Sequence, residues 1–133
     1  MRQLNQHRSI HEAAYGQVEE MTEVLKRLYQ DGRTKEAGQA EVILIEHWQD
    51  HILTHAESEE EGLYEEMKQK KPELTETITQ LKRDHDLLRK IIAGIKELLN
   101  DETAIEKRLA MFDSLLVVNW HHSRDEERYL LDD

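Results

Sequence analysis

The sequence contains no cysteine, only one proline and one phenylalanine, and five glycines among 133 residues. The absence of cysteine excludes disulfide bonds, thiolate zinc sites and iron–sulfur clusters ligated by the chain itself. The scarcity of proline and glycine leaves few turn signals, whereas glutamate, lysine, leucine and glutamine are frequent. This composition favours long helices over a sheet.

Long hydrophobic runs are also missing. The first ten residues are polar, unlike a signal peptide, and no stretch approaches the roughly 18 apolar residues of a membrane helix. The net charge of −11 opposes contact with nucleic-acid phosphates and anionic lipids. We therefore expect a soluble, cytoplasmic protein with neither nucleic acid nor membrane as a partner. The pattern specifies no oligomeric state.

Three short breaks, at Asp31-Gly32, Lys71-Pro72 and Asn100-Asp101, divide the chain into four long segments. Each segment carries apolar residues at helical spacing, which indicates an amphipathic helix. Short connections make successive helices antiparallel. The sequence thus predicts an all-α fold, an up-down-up-down four-helix bundle that forms a single domain over residues 1–133.

Histidine is unusually frequent, with eight in the chain. Every segment places one histidine in its apolar stripe, and two segments add a glutamate one turn later. The residues concerned are His11, His55, Glu59, His85, His122 and Glu126. A lone histidine in such a stripe is usually a satisfied core residue. Two buried carboxylates beside histidines, however, require a compensating cation, because an unpaired buried charge is strongly destabilising.

The spacing His55-x3-Glu59, repeated in His122-x3-Glu126, stacks an imidazole and a carboxylate on one helix face. Both groups then reach the same ion or adjacent ions. Four histidines and two carboxylates suit two divalent ions bridged by the carboxylates. This sulfur-free set suits iron or manganese and also accepts zinc. The sequence therefore predicts a metal pair, in the first place two iron ions in a non-haem di-iron centre.

The chain also repeats itself. A helix with a candidate histidine ligand precedes a helix with His-x3-Glu-Glu-x2-Leu, first from His11 to Leu63 and again from His85 to Leu130. This ordered set resembles the hemerythrin-like, or HHE cation-binding, family over nearly the whole chain. The resemblance implies a four-helix bundle with an oxo- or hydroxo-bridged di-iron centre. Members of that family bind O2, peroxide or nitric oxide, deliver iron to damaged iron–sulfur centres, or sense oxygen or iron.

The third helix departs from the oxygen carriers of that family. Those proteins have a second histidine four residues along, where this sequence has Arg89, and position 81 is leucine. His51, one turn before the ligand of the second helix, is one alternative for the missing fifth histidine, and His7 and His121 are others. The missing ligand argues against simple reversible oxygen carriage.

Two choices between neighbouring residues follow from the repeat. His11 matches it better than His7, and Glu126 is preferred to Asp125. At about 100° per residue of an α-helix, His47 lies well off the centre of the ligand face. We therefore predict that His47 is a surface residue.

Three functions are compatible with these patterns. The first is a di-iron protein that binds O2, peroxide or nitric oxide as a carrier, a sensor or part of a stress response. The second is a di-iron redox enzyme, such as a catalase-like peroxidase, or an iron donor for cluster repair; turnover of hydrogen peroxide would identify the enzyme. The third, of another class, is a metal-free helical interaction module, in which replacing His55 and Glu59 by leucine would only raise stability.

Overall fold

The computed structural model describes residues 2–131, with side chains from residue 4 onward; residues 1, 132 and 133, the ends of the range expected for the single domain, lie outside the described residues. Four helical arms form this part of the chain. The first is α1 (Arg2–Gln30), and the second comprises α2 (Thr34–His47), a π-helical turn (Trp48–Leu53), α3 (Thr54–Glu61) and α4 (Leu63–Lys70). The third consists of a 3-10 turn (Pro72–Leu74) and α5 (Thr75–Glu97). The fourth contains a 3-10 turn (Glu102–Ala104), α6 (Ile105–Asp125) and a second π-helical turn (Glu126–Leu131).

The arms end where the sequence has turn formers. Gly32 has a φ of 71°, a left-handed conformation that costs glycine little. Pro72 begins the third arm, where its missing N–H removes no helical hydrogen bond. The Asp101 carboxylate accepts a hydrogen bond from the backbone N–H of Thr103 and caps the fourth arm. The three breaks therefore lie where the sequence predicts them.

Consecutive arms are neighbours in the bundle. α1 packs against α2 and α6, α5 packs against α6, and α5 also contacts α4 and the first π-helical turn. Between residues 2 and 131 there is no strand, and no helix there is both long and apolar enough to cross a bilayer. The predicted all-α, up-down-up-down four-helix bundle is confirmed.

Two apolar clusters fill the interior of the bundle. The larger cluster includes Val18, Trp48 and Phe112, and the smaller one is built around Tyr64 and Leu130. In every arm, the residues of the predicted metal site lie between the residues of the larger cluster and those of the smaller one. Burial of the two clusters drives folding, and it encloses one polar layer between them.

A second buried polar group lies among the residues of the larger cluster. Arg108 Nε is 2.5 Å from Glu41 Oε2, and Arg108 Nη1 donates to the carbonyls of Leu98 and Asp101, both at 2.7 Å. The Tyr29 hydroxyl donates to Glu41 Oε1 at 2.6 Å. This network connects the first, second and fourth arms with the loop before the fourth, and both charged side chains are buried.

Candidate metal centre

Two π-helical turns flank the polar layer. Such turns are rare and commonly lie at functional sites. The first directly precedes α3, which carries His55 and Glu59. The second begins at Glu126, and there the consecutive residues Glu126 and Glu127 are both buried. Two adjacent carboxylates on one arm consequently face the interior.

Four of the predicted ligands converge in this layer. Glu59, His85, His122 and Glu126 are all buried, and one donor atom from each lies within 4.8 Å of the others. The Nε2 atoms of His85 and His122 are 2.9 Å apart. His85 Nε2 is 3.7 Å from Glu59 Oε1, and His122 Nε2 is 3.4 Å from Glu126 Oε2. These distances bring two imidazoles and two carboxylates around one position.

The remaining two predicted ligands face the opposite oxygens of the same carboxylates. His11 Nε2 lies 3.2 Å from Glu126 Oε1, and His55 Nε2 lies 3.7 Å from Glu59 Oε2. His11 is buried, whereas the His55 side chain is 46% exposed. Each carboxylate thus faces two different histidines with its two oxygens.

Three of the histidines are oriented by a second carboxylate. Each of these pairs joins a histidine Nδ1 to a carboxylate oxygen at 2.8 to 3.0 Å: His11 with Glu127, His85 with Glu60, and His122 with Asp84. A neutral imidazole carries one N–H, so donation from Nδ1 leaves the lone pair on Nε2. Proteins orient histidine ligands toward metal ions in this way.

Tyr64 is a further residue of the site that sequence reasoning missed. Its hydroxyl donates to Glu126 Oε2 at 2.5 Å, and its ring stacks on His85 with 5.7 Å between centroids. Burial, followed by the charges of Glu126 and Glu59, raises the pKa of Tyr64, so the hydroxyl stays a donor. The bend at Gly62, between α3 and α4, precedes this residue and the return of the arm to the core.

The three orienting carboxylates were also not among the predicted site residues. Glu60 and Glu127 each follow a predicted ligand, so the doublets Glu59-Glu60 and Glu126-Glu127 of the internal repeat carried a signal for them. For Asp84, which directly precedes His85, the sequence offers no comparable signal.

The acid–base state of the layer reflects a shortage of positive charge. Burial and the nearby charge of Glu126 raise the pKa of Glu59. Burial acts in the same direction on Glu126, but the neighbouring imidazoles of His11 and His122 outweigh it and lower the pKa of Glu126. Burial and His122 lower the pKa of His85 to about 4. At neutral pH Glu59 therefore keeps a proton where a cation would otherwise compensate the two carboxylates.

His122 carries such a proton. Burial lowers the pKa of this imidazole, but hydrogen bonds with Asp84 and Glu126 outweigh burial and raise its pKa to about 9. With Nδ1 bonded to Asp84, the second N–H of the protonated ring lies on Nε2, which is 2.9 Å from His85 Nε2. This proton occupies the position where the two Nε2 lone pairs would otherwise meet.

Two buried oxygens give the strongest indication that the layer fits metal ions. Glu59 Oε2 and Glu126 Oε1 have no hydrogen-bond partner among the described residues. Both face the His11–His55 side of the carboxylates. Leaving such atoms unpaired is costly, and cations that replace the protons of Glu59 and His122 would satisfy them. The donor set of imidazole nitrogens and carboxylate oxygens suits iron, manganese or zinc.

A cavity of about 360 Å³ adjoins the layer. Five of the six predicted ligands line it, together with small and apolar side chains from the first, second, third and fourth arms. The lining consists of Ile10, His11, Ala14, Gln17, His47, His51, Ile52, His55, Ala56, Glu59, His85, Leu88, Asn119, His122 and Ser123. A small molecule in this cavity would lie directly beside the candidate ligands.

The alternatives for a fifth histidine lie outside the converging group. The His7 ring is 6.1 Å from that of His11, His51 is exposed beside His47, and His121 is exposed against Trp120. Arg89, at the position of the carriers' fifth histidine, donates to Glu60 Oε2 at 2.6 Å. Arg89 therefore holds in place the Glu60 carboxylate that orients His85.

Replacing Asp84 by asparagine is expected to weaken metal binding about 10- to 100-fold, the usual effect of losing an orienting carboxylate. Asparagine keeps the shape but removes the charge that fixes Nδ1–H of His122. Competition with a chromophoric chelator measures the affinity. The control, Asp125→Asn, changes an exposed residue next to Glu126 and should leave the affinity unchanged; equal losses in both variants would contradict the assignment.

Comparison with known proteins agrees with this geometry. The family model described as "Hemerythrin HHE cation binding domain" matches residues 20–132, so the match covers the second, third and fourth arms and begins after His11. Neither the curated proteins nor the solved structures contain a match. The family name specifies cation binding, and the polar layer is the candidate site for it. The chain belongs to the hemerythrin HHE cation-binding domain family.

Proposed function

We propose that the chain holds a pair of iron ions in the polar layer and binds O2, peroxide or nitric oxide beside it. The observation that carries this proposal is the pairing of carboxylates and histidines. Glu59 and Glu126 each face two different histidines with their two oxygens. One ion alone would leave the buried oxygens on the His11–His55 side unsatisfied.

The ligand roles follow from these contacts. His85 and His122 would be terminal ligands at one position, His11 and His55 at the other, and the two glutamates would bridge them. The carboxylates at Nδ1 keep the lone pairs of three of these rings directed into the layer. Manganese or zinc would be held by the same atoms.

The cavity supports the small-ligand part of the proposal. Its volume of about 360 Å³ leaves space next to His11, His55 and His85, and Ala14 and Leu88 make part of its wall apolar. Six protein ligands leave coordination positions free, so the bound iron pair supplies redox chemistry and open sites for a diatomic or peroxide ligand. The chain's own contribution is to orient the ligands and to restrict access to this cavity.

Metal analysis with absorption spectroscopy tests the proposal. Protein purified without oxygen should contain two iron ions per chain, and oxygen or azide should then produce charge-transfer bands. The His55→Leu/Glu59→Leu variant should lose both properties. A colourless and fully folded wild-type protein that takes up no iron would refute the proposal, and rapid turnover of hydrogen peroxide would assign the centre to redox catalysis instead of ligand carriage or sensing.

A further inference from the structure

The cavity continues from the buried layer to a second group of histidines. His47 and His51 line it together with His55, and the three are spaced four residues apart along the second arm. His51 and His55 are exposed, whereas His85 at the inner end is buried. The cavity is therefore lined by histidine from its solvent-facing side to the candidate metal centre.

The first π-helical turn explains why these three histidines share one side of the arm. Sequence reasoning with α-helical steps predicted that His47 is a surface residue, but it is partly buried and lines the cavity. In a π-helical turn hydrogen bonds span five residues instead of four, so each residue advances by a smaller angle. On a regular α-helix, residues four positions apart are offset around the helix axis. The π-helical turn at Trp48–Leu53 reduces this offset between the three histidines.

His47 and His51 form a close pair of donors. Their ring centroids are 4.6 Å apart with the planes tilted by 35°. Two histidines four residues apart on one helix face are a known arrangement for chelating a transition metal. Burial and then His51 lower the pKa of His47, so this ring is neutral at neutral pH and keeps a lone pair.

The surroundings of the pair differ from those of the buried ligands. Among the described residues, no carboxylate bonds to either ring, unlike the rings of His11, His85 and His122. Without an orienting partner, a metal ion would be held weakly and exchanged readily. Glu46 and Asp50, each exposed and directly preceding one of the two histidines, add negative charge that attracts cations.

From these observations we infer that His47 and His51 form a capture site, which binds a divalent transition-metal ion and passes it through His55 to the buried centre. The ion exchanges imidazole ligands along this route without a change of oxidation state. The inference rests on the proposed metal centre, to which it adds the route of loading. The ligand class is a hydrated Fe²⁺ or a similar ion that accepts imidazole nitrogen.

Loading of the metal-free protein with Co²⁺, followed by stopped-flow absorption, tests the route. The His47→Gln/His51→Gln variant should load about tenfold more slowly at subsaturating Co²⁺, because it lacks the imidazoles that hold the ion at the cavity; this is the lower end of the roughly 10- to 100-fold effects that lost metal-site partners have on affinity. The final Co²⁺ content and spectrum should equal those of the wild type. His121→Gln, which changes an exposed histidine outside the cavity, should load at the wild-type rate.

A second measurement detects the capture site directly. In the Glu126→Gln variant, whose buried centre is weakened, substoichiometric Co²⁺ should broaden the imidazole proton signals of His47 and His51. An unchanged loading rate in the double variant, or the absence of this broadening, would overturn the capture site while leaving the centre intact. A wild-type protein that loads no Co²⁺ in the buried layer would overturn the proposed centre and the route together.

Discussion

The Glu126→Gln variant is expected to lose the metal pair. Glu126 is fully buried, faces His11 with Oε1 and His122 with Oε2, and accepts a hydrogen bond from Tyr64. Glutamine keeps the size but offers one acceptor oxygen and no charge. Because Glu126 would be a direct ligand of both ions, the affinity should fall by more than the roughly 10- to 100-fold of an orienting residue.

Equilibrium dialysis followed by elemental analysis measures this loss. The matched control is Glu57→Gln, which removes an exposed charge from the same acidic run as Glu59 and should retain both ions. Circular dichroism should report an intact bundle in both variants, since Glu126→Gln removes a buried charge and leaves the apolar clusters untouched. Wild-type iron content in the Glu126→Gln variant would rule out a bridging role for this carboxylate.

The His55→Leu/Glu59→Leu variant separates a metal centre from a metal-free interaction module. Both interpretations allow the stability of the apoprotein to rise in this variant, because the two substitutions remove polar groups from a partly apolar layer. Only the metal centre predicts that the wild-type melting temperature rises with added iron and that the variant's does not. The dependence of thermal stability on metal concentration is thus the discriminating measurement.

The fold was predictable because helical periodicity is a property of the local sequence. The third arm repeats apolar residues every three or four positions, and His85 occupies one of these positions, so its burial follows from the pattern. The turn residues Gly32, Pro72 and Asp101 fixed the ends of the arms. Because the connections are short, successive helices are antiparallel, and an antiparallel bundle buries the apolar stripe of every helix.

The finer features of the site depend on geometry that periodicity does not encode. The π-helical turn changes the angular step locally, and an α-helical projection therefore misplaced His47. Asp84 and Tyr64 reach the site from other arms than the groups they contact. Such contacts depend on the rotation and stagger of neighbouring helices, which result from packing of the whole core. The six predicted ligands themselves remain predictions until metal binding is measured.

The second large effect concerns stability, at the end of the bundle away from the metal site. Arg108→Met is expected to lower the free energy of unfolding by about 3–5 kcal/mol, because it leaves a buried glutamate without its counter-charge. Glu41 would retain only the hydrogen bond from Tyr29, and the carbonyls of Leu98 and Asp101 would each keep only a backbone donor. Urea denaturation of the metal-free protein measures the change.

Two further variants show whether this effect comes from the buried charge. Glu41→Leu/Arg108→Met removes both partners and should recover much of the loss, since apolar residues often replace a buried ion pair at little net cost. Arg33→Met breaks an exposed pair with Glu36 and should change stability by less than about 1 kcal/mol. If the double variant is as unstable as Arg108→Met, the stabilisation comes from the hydrogen bonds of the network and not from pairing of the buried charge. Because the larger apolar cluster separates Arg108 from the polar layer, the double variant should still bind two metal ions if it folds.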